Sequence, residues 1–253
     1  MKKIGLLGGM AWPSTIDYYR AICEGANARF RASGHPAPLP VPPLTIESVN
    51  IAETRALRGI EGDEASWADY DAVLLEVFAR LERAGCEVAA MASNTPHARL
   101  HAIRDRIGIP VVSILDKSAQ AAARTGRRRA LVMGTSVTMR GGHYPAALRA
   151  QGIEPIPRLP EPEIEAMQGL IDTEFHAGAT AAGRSALLTM CERHGGREPG
   201  TVVLLACTEL PLAFPDRGGS PVFETDGITF VDTGAAHVRA ILDASLGHAD
   251  ADQ

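Results

Sequence analysis

Short apolar runs alternate along the chain with longer stretches of helical spacing. "KIGLLG" (3–8) is apolar throughout and closed by glycines, the pattern of a parallel strand buried on both faces. Pro13 then opens a helical pattern, "STIDYYRAICEGANARF". "PLTIESV" (43–49) predicts a second strand, and "DEASWADYDAVLLEVFARLERAG" (63–85) an amphipathic helix closed by Gly85. "EVAAMA" (87–92) predicts a strand and "TPHARLHAIRDRIG" (95–108) a helix with proline in its first turn. "IPVVSI" (109–114) reads as a strand and "LDKSAQAAARTG" (115–126) as a helix.

The pattern then restarts. "RRALVMGTS" (128–136) is similar to "KKIGLLGGM" (2–10), with Gly8 and Gly134 lying 126 residues apart. "TVVLLACTELPL" (201–212) echoes "EVAAMASNTPH" (87–97): strand, small residue, thiol or hydroxyl, polar pair, helix start. Such pairing in the same order predicts an α/β fold of two similar Rossmann-like lobes with mainly parallel sheets. We expect residues 1–115 in the first lobe, 116–222 in the second, and 223–253 packing back onto the first. "VDTGAAHVRAILDASLG" (231–247) would be the returning helix and "HADADQ" a frayed tail. Ligands of such sheets lie beyond the carboxyl ends of the strands, where Met10, Ser93, Thr135 and Cys207 fall. If the lobes face each other, the active site is the cleft between them.

Charge narrows the partners. A net charge of −5 gives no electrostatic reason to expect nucleic acid or an anionic membrane. The basic run "RTGRRR" (124–129) leads into a strand and reads as a solvated approach to it. The opening "MKKIGLLGGM" breaks at glycines too early for a signal peptide, and no apolar stretch reaches the roughly 18 residues that span a bilayer. Cys23, Cys86, Cys191 and Cys207 form no CxxC pair and no zinc-finger spacing. The expected setting is a reducing cytoplasm with free thiols.

Cys207 is the candidate for chemistry. It ends an apolar strand, precedes an expected helix start that would favour a thiolate, and matches Ser93 in the other half. A buried packing thiol is the other reading of that position, and it is the one adopted for Cys23, Cys86 and Cys191. Asn94, Thr95, Thr208 and Glu209 begin expected helices, where unpaired backbone N–H groups can hold a carboxylate. Plain N-capping by Asn94, Thr95 and Thr208 remains open beside that. His97 either tunes the Ser93 corner or, the reading favoured from sequence, is a helix-surface histidine with no catalytic role. No HExxH motif or histidine–carboxylate cluster calls for a metal, and "GLLGGM" lacks dinucleotide-binding spacing, so no cofactor is expected.

"IGLLGGMAWPSTIDYYRAICEGAN" (4–27), "SNTPH" (93–97), "GTSVTM" (134–139) and "ACTELPL" (206–212) resemble the aspartate/glutamate racemase family. The resemblance spans nearly the whole chain in the family's order. It implies a cofactor-independent amino-acid racemase, commonly a homodimer, in which one group from each lobe faces one side of the substrate's α-carbon. The second-lobe base falls on Cys207, and the first-lobe position, often cysteine, on Ser93. Asn94, Thr95, Thr135 and Thr208 match residues that hold the amino acid's carboxylate and amine, Met10 lines the cleft, and Glu209 belongs to the same segment.

Two departures stand out. Serine is a far weaker acid than cysteine, whose reference pKa is about 8.5, so Ser93 can donate or relay a proton but not stand as a base. That predicts a directional enzyme, with Cys207 abstracting the α-proton, preferably from the L-enantiomer. Near the C-terminus, "FETDGITFVDT" departs from the family pattern and leaves the contacts of Glu224, Thr225 and Asp226 unassigned. Competing functions are a single-thiol decarboxylase or cis–trans isomerase of a dicarboxylic acid, and a non-catalytic amino-acid-binding protein.

Overall fold

The structure, a computed structural model, describes residues 1–60, 62–175 and 178–247. The "HADADQ" tail lies outside the described residues. Two units emerge: Met1–Ser113 with the chain from His237 onward, and Ile114–Ala236.

Unit 1 is built on three parallel strands, β1 (Ile4–Gly8), β2 (Leu44–Ser48) and β3 (Val88–Met91), in the order β2-β1-β3. Every residue of β1 and β3 is buried, which is why both read as unbroken apolar runs. Helices α1 (Trp12–Ala32), α2 (Ile51–Ala56), α3 (Ala68–Arg83) and α4 (Leu100–Ile103) surround them. In α3 the buried Tyr70, Leu74, Val77, Phe78 and Leu81 fall on one face. Asp69 and Asp71 in its first turn and Arg80 and Arg83 in its last suit the helix dipole. Its end is a Schellman turn: Cys86 N–H donates to the Leu81 carbonyl (3.1 Å) and Gly85 N–H to Glu82 (2.8 Å), with Gly85 at φ +76°.

Two sequence expectations change here. The helix expected over 95–108 is a 3-10 turn (Thr95–Arg99), the four residues of α4 and a second 3-10 turn (Arg104–Arg106). Arg99 holds this path: its buried guanidinium grips both oxygens of Asp71 (2.9 and 2.7 Å) and reaches Glu64 (2.7 Å). The strand expected over 109–114 is a single bridge, Ala89 to Val111. Pro110 has no N–H to extend a ladder, and a helix already starts at Ile114.

Unit 2 carries β4 (Arg129–Gly134), β5 (Glu154–Pro155), β6 (Thr201–Ala206), β7 (Val222–Thr225) and β8 (Ile228–Asp232), in the order β5-β4-β6-β8-β7. All pairs are parallel except β7–β8, a hairpin closed by Asp226 and Gly227 at φ +52° and +72°. Positive φ at both central residues is the requirement of a type I′ turn, and Asp-Gly meets it. Helices α5 (Ile114–Arg124), α6 (Ser136–Arg140), α7 (His143–Ala150), α8 (Glu161–Leu170) and α9 (Ala181–Arg193) accompany this sheet. A π-helical turn, Ile171–Phe175, follows α8 directly.

The last helix, α10 (Thr233–Leu246), begins in unit 2 and continues into unit 1 from His237. The return to the first lobe, expected from residue 223, therefore starts later. Residues 222–232 are held in unit 2 by backbone pairing of β8 with β6 and of β7 with β8. From α10, Val238, Ile241 and Leu242 complete the apolar cluster of Ile4, Leu6, Tyr18 and Ile22 in unit 1.

Candidate active site

In unit 1 the candidate residues gather at the carboxyl ends of β1 and β3, which run in register with Leu7 opposite Met91. Gly9 turns the chain out of β1 at φ +83°, and a β-carbon there would stand 2.1 Å from the Val49 carbonyl oxygen. Its N–H donates to Thr15 Oγ1 at 2.9 Å. Met10 follows, buried, with its sulfur facing the hydroxyls of Thr54 (3.7 Å) and Tyr70 (4.0 Å). Burial pushes the Tyr70 phenol up, against the opposing pull of Arg58.

Beyond β3, Ser93 is half-buried, Asn94 buried and Thr95 half-buried. Asn94 occupies the cap position of the 3-10 turn, yet its side chain makes no capping bond. The turn is closed instead by His97, whose backbone N–H donates to the Asn94 carbonyl (3.1 Å) and whose Nδ1 lies 2.7 Å from the Ser93 carbonyl oxygen.

In unit 2 the matching residues lie at the ends of β4 and β6, where Gly134 is paired with Ala206. Thr135 caps α6, its Oγ1 accepting from Thr138 N–H (3.4 Å) and lying 3.0 Å from Thr138 Oγ1. Cys207 comes directly after β6 and is only 6% exposed, within an apolar cluster that includes Leu205, Leu210 and Phe214. Its thiol donates to Glu209 Oε2 at 2.8 Å, and the Thr208 hydroxyl donates to the same oxygen at 3.1 Å. Glu209 is itself buried.

The expected helix after Cys207 is a single 3-10 turn, Leu210–Ala213, too short to build a macrodipole. The environment acts in the opposite direction: burial first, then the Glu209 carboxylate, pushes the Cys207 thiol well above its ordinary range, and Asp172 adds to this. The resting sulfur is a thiol bonded to a carboxylate. That pair can still generate a nucleophile or base on demand, by passing the thiol proton to Glu209 as a C–H acid approaches.

The sequence profile of the Asp/Glu/Hydantoin racemase family matches residues 7–241. The chain belongs to that family. The broad specificity amino-acid racemase RacX of Bacillus subtilis (strain 168) is 26% identical over 153 residues; the match takes in 60% of this chain and 63% of that protein, so the chain spans less than two thirds of this curated relative. An aspartate racemase homologue from Pyrococcus horikoshii OT3 is similar in structure at a TM-score of 0.76 and 27% identity, over 97% of this chain and 100% of that one. The aspartate racemase of Picrophilus torridus shares the fold at a TM-score of 0.72 and 20% identity, over 97% and 94% of the two chains.

This Asp/Glu/hydantoin racemase family chain also has supporting residues that its sequence motifs did not single out. Gln168 Oε1 accepts from Ser136 N–H (2.9 Å) and its Nε2 donates to Asp172 (3.0 Å), tying the α6 corner to the π-helical turn. Only the four-residue spacing of Gln168 and Asp172 hinted at this. Arg217 donates to Asp232 Oδ2 (2.9 Å) and to the carbonyls of Pro211 and Phe214 (2.9 and 3.2 Å), bracing the segment after Cys207. Thr233 donates to the Leu205 carbonyl at 2.8 Å, two residues before the thiol. Cys86 and Cys191 are buried and Cys23 is partly buried, all three free. Burial raises Cys191 to about 12, which suits a packing group. Among the described residues, no three His, Cys, Asp or Glu side chains are grouped to hold a metal, and no helix is long and apolar enough to cross a membrane.

Proposed function

We propose that this family member is a cofactor-independent amino-acid racemase in which Cys207 removes the α-proton and Ser93 returns a proton to the opposite face. The observation that carries this reading is the 2.8 Å thiol–carboxylate contact of Cys207 and Glu209 at the end of β6. Glu209 takes the thiol proton, and the thiolate removes the α-proton of the L-amino acid, leaving an enediolate-like carbanion. Ser93 delivers a proton to the opposite face and is replenished from water. One proton leaves the Cys207–Glu209 pair for solvent, so the cycle balances.

Met10, Asn94, Thr95, Thr135 and Thr208 line the substrate in this proposal, holding its carboxylate and ammonium. Glu209, expected beside them, acts on the thiol instead. Family membership supports aspartate, glutamate or a related amino acid as substrate. A homodimer working in a reducing cytoplasm, where the four cysteines stay free, is part of the same reading.

The test is loss of the α-proton signal by NMR in D2O, for amino acids of both hands, followed by chiral chromatography. Racemisation that is abolished by Cys207→Ser supports the proposal. α-Proton exchange that survives Cys207→Ser, or the absence of exchange with every amino acid tried, overturns it.

A further inference from the structure

Three buried groups in unit 1 take no part in those proton transfers. Tyr18, His97 and His237 are 3%, 1% and 0% exposed. The Ser93 carbonyl can only accept, so the His97 Nδ1 that faces it at 2.7 Å carries the hydrogen. His237 arrives on α10, and its Nε2 lies 2.9 Å from the Val112 carbonyl oxygen, which fixes that nitrogen as N–H. In the neutral ring, Nδ1 then accepts from the Tyr18 hydroxyl at 2.9 Å.

The rings meet edge to face. His97 and His237 have centroids 5.3 Å apart at 79°, and Tyr18 and His237 5.6 Å apart at 73°. Val112 is itself bonded to β3, its N–H donating to the Ala89 carbonyl at 2.8 Å. The stack thus ties α1, α10 and the flank of β3 to the backbone of Ser93.

We propose that His97 and His237 are positioning residues for the Ser93 hydroxyl, setting it for reprotonation without touching substrate. The inference rests on the reading of Ser93 as the second proton-transfer group. Ser93 lies two residues before a five-residue 3-10 segment, Thr95–Arg99, rather than at the start of a long helix, so its placement depends on what holds that turn. A misplacement of about 1 Å can cost on the order of 100-fold in rate.

The experiment uses the full chain with L-substrate in D2O and reads two quantities: α-proton exchange and inversion of configuration. Cys207 returning a deuteron to its own face gives exchange with retention, whereas inversion needs Ser93. His97→Ala and His237→Ala are expected to lower inversion by about 10- to 100-fold while exchange changes by less than about threefold. His97→Asn, which keeps an N–H near the position of Nδ1, should restore inversion to within about threefold of the parent.

Parallel loss of exchange and inversion, or an unchanged ratio of the two, overturns the proposal. If the alanine variants do not fold, Tyr18→Phe decides, because it removes one hydroxyl. A fall of about threefold in the inversion-to-exchange ratio supports the stack, and an unchanged ratio refutes it. Failure of the parent reading looks different: the unaltered protein would show no exchange, or exchange would survive Cys207→Ser.

Discussion

Replacing Gly134 by alanine tests how tightly the unit 2 corner is built. Gly134 ends β4 opposite Ala206, one residue before Thr135 on one strand and Cys207 on the other. A β-carbon at this position would lie 2.6 Å from the Ala206 carbonyl oxygen and 3.2 Å from its carbon. Real β-carbons keep at least 3.0 Å, so the strands must part by ~0.4 Å at a point where both partners are backbone and cannot swing aside. Overpacking of this kind costs about 1–3 kcal/mol. In a chain of this size that is a fall in Tm of roughly 2–4 °C per kcal/mol. Because 1 Å of misplacement can cost about 100-fold, ~0.4 Å at Cys207 corresponds to about sixfold in α-proton exchange. Thermal unfolding by circular dichroism and NMR exchange in D2O read the two effects. Gly169→Ala is the control: that glycine lies within α8 with nothing within 4 Å of its added carbon, and the change should stabilise by about 0.5–1 kcal/mol. A Gly134→Ala protein with the parent's Tm and exchange rate would refute the close-approach argument.

Glu209→Gln should make the rate climb with pH across the thiol range. In the parent, Glu209 takes the thiol proton during turnover, so the rate should be level around the usual thiol pKa of about 8.5. In the variant only thiolate formed by loss of the proton to solvent can act, and burial still holds the Cys207 thiol above its ordinary range. The rate at neutral pH should fall, and a profile unchanged from the parent would sink the assignment. Arg99→Met should destabilise by about 3 kcal/mol, because Asp71 is left partly buried without its bidentate partner. Glu64→Gln, which removes only the exposed partner, should cost about 0.5 kcal/mol or less; equal losses in denaturant titrations would contradict that ranking.

The alternation of apolar runs and helical stretches was enough to read β1, β3, β4 and β6 from sequence, because β1 and β3 are buried throughout and β4 and β6 are apolar after their first residues, Arg129 and Thr201. The motif residues fall where the chain leaves paired strands: Met10 after β1 and Ser93 after β3, Thr135 after β4 and Cys207 after β6. What the pattern could not convey were tertiary contacts. Nothing local marks Arg99 as buried, or shows that its grip on Asp71 ties the short turns of 95–106 to α3. The β7–β8 hairpin has a local signal, Asp226-Gly227 between strand-like runs. The direction in which Cys207 is shifted also lay beyond the sequence. Helix-start reasoning favours a thiolate, whereas depth of burial and the carboxylate two residues on favour the thiol.

Because α10 supplies Val238, Ile241 and Leu242 to a core begun by the first strand, the amino-terminal sheet is synthesised long before its packing is complete. A nascent chain released as far as β8 would still expose the apolar side of α1 that these residues cover. The first unit to leave the ribosome should therefore be the last to become protease-resistant.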